Sequence, residues 1–289
     1  MNRTHHLLWP IRLAAMLLAC GAGATAATAQ GTKPLGDNVI ELTADGSIEW
    51  LHDENKFVAE GNTKIVRNDV IFRSDRLIAH FRDRDDGGTE VWRVEFHGNI
   101  KVTFSDTTLF ADDAAYEMES EVFVATGRKL RMVSDDTTVT ARDTIEYWEG
   151  KKMTVARGNA KMTSDDRVLR GDIVVAYATE NDDDSSDGSG IERVEVFGNV
   201  RITSGKQTIR ADKMIYDPNA ELAQLAGSVK ITSGESQFSG EYAVYDFKTE
   251  TGKMSGAGST RAQGLFKSKK PPAPAAAVVG GGGKQRQQN

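Results

Sequence analysis

A chain of 289 residues with 39% hydrophobic and only 7% aromatic side chains has enough apolar mass for a core, though not a thick one. Lysine and arginine total 36 against 42 aspartate and glutamate, a formal charge of −6. With no obvious basic cluster, that balance speaks against nucleic acid as a partner. The single cysteine, Cys20, excludes a disulfide framework and any cysteine-based metal site.

The first 29 residues read as a cleaved signal peptide. Arg3 and Arg12 supply the positive start, residues 13–19 a short apolar run, and Ala27-Thr28-Ala29 the small residues before a cut at Gln30. The run is far shorter than the roughly 20 residues of a membrane span, so the mature chain is expected to be soluble and exported, with residues 30–36 as a linker. Leu17-Leu-Ala-Cys20 loosely resembles a lipidation motif, but leucine directly before the Ala-Cys pair fits it poorly. Cleavage removes two arginines and no acid, which leaves a charge of −8.

Internal repetition governs the rest of the chain. Gly61, Gly98, Gly158 and Gly198 each open a Gly-Asn-x-basic-apolar segment. Gly227 does so with serine in second place, and Gly127 is a more degenerate copy. Fourteen residues after a glycine comes an acid (Asp75, Asp112, Asp172, Asp212, Glu241), and an aromatic such as Tyr116 or Tyr216 follows four or five residues later. The Gly127 unit needs sixteen residues to reach Asp143, which implies a bulge or a longer turn. Two of the gaps between glycines are long and hold the acidic inserts 82–89 and 180–190; without them the period is close to thirty. The long gaps recur about one hundred residues apart, as if two halves, 37–140 and 141–262, descend from one duplication.

Within the units, apolar side chains alternate with polar ones. Val94, Phe96, Ile100 and Val102 share one parity, as do Val194, Val196, Val200 and Ile202, then Leu225, Val229 and Ile231, with Ile65 in the first unit. That period predicts half-buried strands over residues 37–262 and no helix. A glycine repeated in mid-strand predicts a bend built into every unit. Ser204-Gly205 and Ser233-Gly234 look like hairpin turns. The glycines, Asp112, Asp212, Tyr116 and Tyr216 are scaffold positions on this reading. Lys64, Lys101, Lys161, Arg201 and Lys230 alternate with the apolar stripe and should face water. Residues 263–289, with their Lys, Pro, Ala and Gly runs, cannot bury a core and are expected to be a disordered tail.

The pairing of Gly198-Asn-Val-Arg-Ile with Ala211-Asp-Lys-Met-Ile-Tyr216, and of Gly98-Asn-Ile-Lys-Val with Ala111-Asp-Asp-Ala-Ala-Tyr116, resembles the OstA-like repeat shared by LptA and the periplasmic part of LptD. The resemblance covers roughly residues 37–262. It implies an all-β, open β-jelly roll: two antiparallel sheets folded over an apolar groove that holds the acyl chains of lipopolysaccharide. It also implies end-to-end joining of protomers into a bridge between two membranes, with an LptC-like partner at the inner one and an LptD-like partner at the outer. The groove candidates are the twelve stripe residues named above. The inserts, the tail and the longer array depart from the family pattern.

The same stripe also suits an ordinary closed core, which would make the chain an envelope scaffold. An enzyme finds less support: His52, His80 and His97 have no metal-ligand spacing, and no nucleophile elbow, P-loop or dinucleotide fingerprint occurs. No catalytic residue, metal or cofactor is expected. A parallel β-helix acting on polysaccharide is the enzymatic alternative, though its rungs are usually shorter than thirty residues. Asp183-x-Ser-x-Asp187-Gly188 mimics the start of a calcium loop, but Val194 stands where the closing glutamate belongs.

Overall fold

The computed structural model describes residues 41–67, 70–85, 87–104, 106–134, 137–164, 167–179, 190–205, 207–258 and 261–266. The signal peptide, the linker, all but Gly190 of the second insert and the tail beyond Phe266 lie outside the described residues. No described helix is long and apolar enough to cross a membrane.

The described residues are almost wholly antiparallel β-structure. In the first half the strands are β1 (Glu41–Thr43), β2 (Ile48–Leu51), β3 (Lys56–Arg67), β4 (Val70–Asp83), β5 (Thr89–Phe104), β6 (Thr107–Glu117), β7 (Val122–Thr126) and β8 (Arg131–Ser134). Next come β9 (Thr137–Thr140), β10 (Thr144–Trp148), β11 (Met153–Ser164), β12 (Arg167–Ala178), β13 (Ile191–Ser204), β14 (Gln207–Asp217), β15 (Leu222–Ser233) and β16 (Ser236–Asp246). β17 (Thr251–Ser255) and β18 (Gln263–Leu265) close the series, so pairing runs three residues past the boundary expected at 262. Two short 3-10 turns, His52–Glu54 and Glu149–Lys151, are the helical elements among the described residues.

The long strands shift register at the Gly-Asn or Gly-Ser pair, and β4–β5 and β12–β13 shift a second time at Phe81 and Ala178. On β13, Phe197 pairs with Lys213 and Val200 with Ala211, so Gly198 and Asn199 together oppose Asp212 alone. Both carry positive φ, 71° and 48°. An extra residue in the left-handed region bends a strand sharply. Because the break recurs in strand after strand, one continuous sheet folds along a line of bends into two leaves. Leaf one holds β2, β7, β10, β17 and the limbs of the long strands that approach turns such as 118–121 and 247–250. Leaf two holds β1, β8, β9, β18 and the limbs that approach turns such as 234–235. The Ser233–Ser236 hairpin has positive φ at Gly234 in the first loop position, as a tight turn that follows the right-handed strand twist requires.

Four of the acids fourteen residues after a glycine, Asp75, Asp112, Asp172 and Asp212, sit at the bend glycine of the following unit, and Asp45 serves the first bend in the same way. Asn99 Nδ2 donates to Asp75 Oδ2 at 2.7 Å, Asn199 to Asp172 at 2.8 Å, and Asn62 to Asp45 at 2.8 Å. At the degenerate Gly127, the backbone N–H of Arg128 donates to Asp112 Oδ2 instead, at 2.8 Å.

The hundred-residue echo in the sequence has a structural counterpart. Asn62 and Asn159 share positive φ, as do Asn99 and Asn199, and Glu121 and Glu221. The broken start β1/β2 recurs as β9/β10: Asp45 N–H donates to Gly61 O and Arg142 N–H to Gly158 O, both at 2.7 Å. The copies meet where β7 pairs with β10 and β8 with β9.

At that junction, buried Glu146 on the outer side of leaf one accepts from Arg157 Nε (2.7 Å), Thr144 Oγ1 (2.8 Å) and Trp148 Nε1 (3.0 Å). Burial alone would raise its pKa, but these bonds outweigh that and hold it below the usual glutamate range. A carboxylate depressed in the folded state stabilises above its unfolded pKa and loses that contribution as pH falls through the folded one. Glu146→Gln should therefore cost about 2 kcal/mol at pH 7. The gap to wild type, followed by urea melts, should close below about pH 4.

Candidate lipid-binding interior

Cross-strand register puts one apolar row on the inner face of each leaf. Leaf two presents Ile65, Phe72, Val102, Leu109, Met132 and Val139, then Met162, Leu169, Ile202, Ile209, Ile231 and Phe238, on successive strands. Leaf one answers with a row that includes Leu77, Phe96, Ile145, Val174, Val196, Met214 and Leu225. All twelve stripe residues belong to these inner faces. Eleven are buried, Val196 completely, and Ile65 is half-buried. The described structure is therefore filled along its middle by its own side chains. Phe72 of leaf two stacks on Phe96 of leaf one with centroids 5.4 Å apart, and Phe123 joins them at 6.0 Å from Phe72.

At the β2 end the inner face carries exposed apolar side chains. Ile48 pairs with Ala59 and Trp50 with Phe57, so both face inward, yet they are 52% and 66% exposed. Trp50 lies against Phe57 (5.2 Å), which meets Phe81 edge-on (4.5 Å). At the other end Met254 covers Gly240, and Phe266 packs edge-on against Phe238.

Opposite the bend line, where the turn ends of the leaves meet, the lining changes from apolar to polar. Leaf two presents Thr107, Ser134, Thr137, Ser164 and Arg167 in one cross-strand series, all buried. Leaf one presents a tyrosine series that includes Tyr116, Tyr147, Tyr216 and Tyr245. Tyr245 donates to Gln207 Oε1 of leaf two at 2.9 Å, and the Arg167 guanidinium lies 5.6 Å from the Phe247 ring centre. Burial pushes the Tyr147 phenol up to about 12 and raises those of Tyr216 and Tyr245, so these hydroxyls stay protonated donors at neutral pH.

The outer faces differ sharply. On leaf one, basic and acidic side chains alternate: Arg93 forms ion pairs with Glu95 (2.7 Å) and Glu117, Arg193 with Glu195 (3.0 Å), and His97 Nδ1 hydrogen-bonds Asp113 Oδ1 (2.9 Å). On leaf two, register aligns Lys64, Arg73 and Lys101 on adjacent strands, then Arg131, then Lys161, Arg170, Arg201, Arg210 and Lys230 on five more. The breaks in this row are Phe110, under the Arg131 guanidinium at 4.1 Å, and Thr140. Composition had suggested no basic cluster; the pairing of strands far apart in sequence builds one. The basic residues after each Gly-Asn were legible, whereas Arg73, Arg170 and Arg210, each two residues before a bend aspartate, join them only through register.

Among the described residues no group of histidine, cysteine and acid side chains has the arrangement of a metal site. No curated protein matches the sequence. Of the solved structures, one similar chain is LptH from Pseudomonas aeruginosa, described as the LptA-homologous periplasmic component of the conserved lipopolysaccharide transport device. It is 19% identical, covers 46% of this chain and 95% of its own, and superposes with a TM-score of 0.40. The model of the family "LptA/(LptD N-terminal domain) LPS transport protein" matches twice, over residues 43–182 and 138–251. Those matches span well over half of the sequence, and the chain belongs to the LptA/LptD N-terminal family of lipopolysaccharide transport proteins.

Proposed function

We propose that the chain is a periplasmic lipopolysaccharide carrier that takes acyl chains between its leaves and helps to bridge the inner and outer membranes. The observation that carries this reading is the asymmetry of the interior: apolar along its length, hinged at the bends, and closed at the opposite margin by polar side chains. Separating that margin returns hydroxyls and a guanidinium to water, where their hydration offsets the lost contacts. An acyl chain then replaces apolar protein contacts with apolar lipid contacts. By the usual increment of about 0.8 kcal/mol per buried CH2, a twelve-carbon chain contributes roughly 10 kcal/mol of gross driving force. The exposed inward faces of Ile48 and Trp50 offer the first apolar surface at the β2 end. With the interior occupied by side chains at rest, loading requires the leaves to part.

A filled interior equally favours an envelope scaffold that binds no lipid. A displaceable fluorescent fatty acid separates the two. The carrier reading expects stoichiometric binding that Trp50→Ala weakens about fivefold, by loss of about 1 kcal/mol of buried ring surface. No binding under conditions where the fold is intact would leave the scaffold.

Bridging rests on the sheet's open ends. Among the described residues, β1 and β2 pair only with β3, and β17 and β18 only with β16. Unpaired strand edges accept another strand, so a second copy, an LptC-like inner-membrane protein and an LptD-like outer-membrane protein are the proposed partners. The Glu60 N–H donates to the Ser47 carbonyl, so along β2 the Ile48 N–H points away from β3, and proline there removes a donor from the free edge. Ile48→Pro should abolish concentration-dependent association in sedimentation while leaving circular dichroism unchanged; unaltered association would remove the edge from the bridge.

A further inference from the structure

We propose that the outer face of leaf two is a docking rail for the phosphorylated saccharide of lipopolysaccharide, distinct from the interior that takes its acyl chains and resting on the transport reading above. Lys161, Arg170, Arg201, Arg210 and Lys230 stand directly opposite one another on five consecutive strands. Like charges in directly opposed cross-strand positions destabilise a sheet, so such a row needs a reason beyond solubility in a chain whose net charge is negative. No residue of the row is in an ion pair with another described residue. Acids on the same face include bend aspartates such as Asp172, whose carboxylate is taken up by Asn199 and the Gly198 turn. Leaf one, with its interleaved acids, has nothing comparable.

The shape of the row selects the occupant. Strands lie about 4.8 Å apart, so from Lys64 on β3 to Lys230 on β15 the cations extend over about 48 Å, one residue wide. A bilayer would press on a two-dimensional area and meet the bend aspartates as well; a linear anionic polymer meets the cations alone. Beside the row, one pair of residues nearer the turns, runs a second line that includes Thr108, Thr138, Thr163, Thr203 and Thr208. Threonine suits an exposed strand, and its hydroxyl both donates and accepts. A line of hydroxyls beside a line of cations matches a polymer that carries hydroxyls as well as phosphates. The family's cargo joins acyl chains to such a saccharide in one molecule, and a saccharide has no place in an apolar interior.

The test uses the mature chain and the core saccharide of lipopolysaccharide, freed of its acyl chains with its phosphates kept, titrated calorimetrically at low and physiological salt. Binding should weaken at least about tenfold in Arg170→Gln/Arg201→Gln/Arg210→Gln, with a shallower salt dependence. The same variant should bind the fluorescent fatty acid as wild type does. If wild type fails to bind the saccharide but keeps the fatty acid, the rail is wrong and the carrier reading stands. Equal affinity for the dephosphorylated saccharide, for an oligonucleotide of equal charge or for anionic phospholipid vesicles would also overturn it. Loss of fatty-acid binding in wild type would instead remove the carrier reading on which the rail depends.

Discussion

Valine in place of Gly198 is expected to destabilise the chain by about 3–5 kcal/mol, against about 1 kcal/mol for Gly205→Ala. Both glycines have positive φ, 71° and 52°, so both substitutions strain the backbone. The difference lies in what a Cβ would meet. At Gly205 there is nothing within 4 Å, whereas at Gly198 the Asp172 carboxylate occupies the space. Gly198→Val therefore adds a collision, expels the acid from its bond to Asn199, and places a β-branched residue where the left-handed region penalises it most. Because the bend joins the leaves, the loss should appear as a lower denaturation midpoint with little change in slope. A cost at Gly198 no greater than at Gly205 would show that the fold does not depend on a sharp bend there.

The second large effect concerns the polar margin. Tyr245→Phe removes the hydroxyl that bonds Gln207, worth about 1 kcal/mol, and Arg167→Met keeps apolar bulk while removing the cation beside Phe247, worth about 1–2 kcal/mol. Both contacts join the leaves. Together their loss should shift a closed-to-open equilibrium by about 2–3 kcal/mol, roughly 30- to 150-fold in the open population. Fatty-acid uptake in stopped flow should accelerate by a comparable factor if parting of this margin limits entry. Uptake at the wild-type rate in a folded double variant would place entry elsewhere, most simply at the β2 end.

How much of this was written in the sequence divides along physical lines. Alternation and the Gly-Asn repeat are local signals, and they located strands, bends and hairpins such as Ser233-Gly234, because a period of two and a positive φ are decided within a few residues. The twelve stripe residues were legible as one face, but not whether that face is open, since closure depends on how two leaves pack. Asp75, Asp112 and Asp172 were legible as structural acids. That each serves the next unit's glycine was not, because the contact joins residues up to 27 apart. The cationic row and the polar margin were hidden for the same reason. Arg170 and Arg201 lie 31 positions apart in sequence and face each other only once β12 and β13 are paired.

Adjacent residues on β2 give the most direct test of lipid between the leaves. Trp50 faces the interior and Glu49 the outside, and both are exposed, so a photoreactive side chain at either should be tolerated. Irradiation in cells should yield a lipopolysaccharide adduct from position 50 and none from position 49. Adducts from both positions alike, or from position 49 alone, would mean that lipid does not enter between the two leaves.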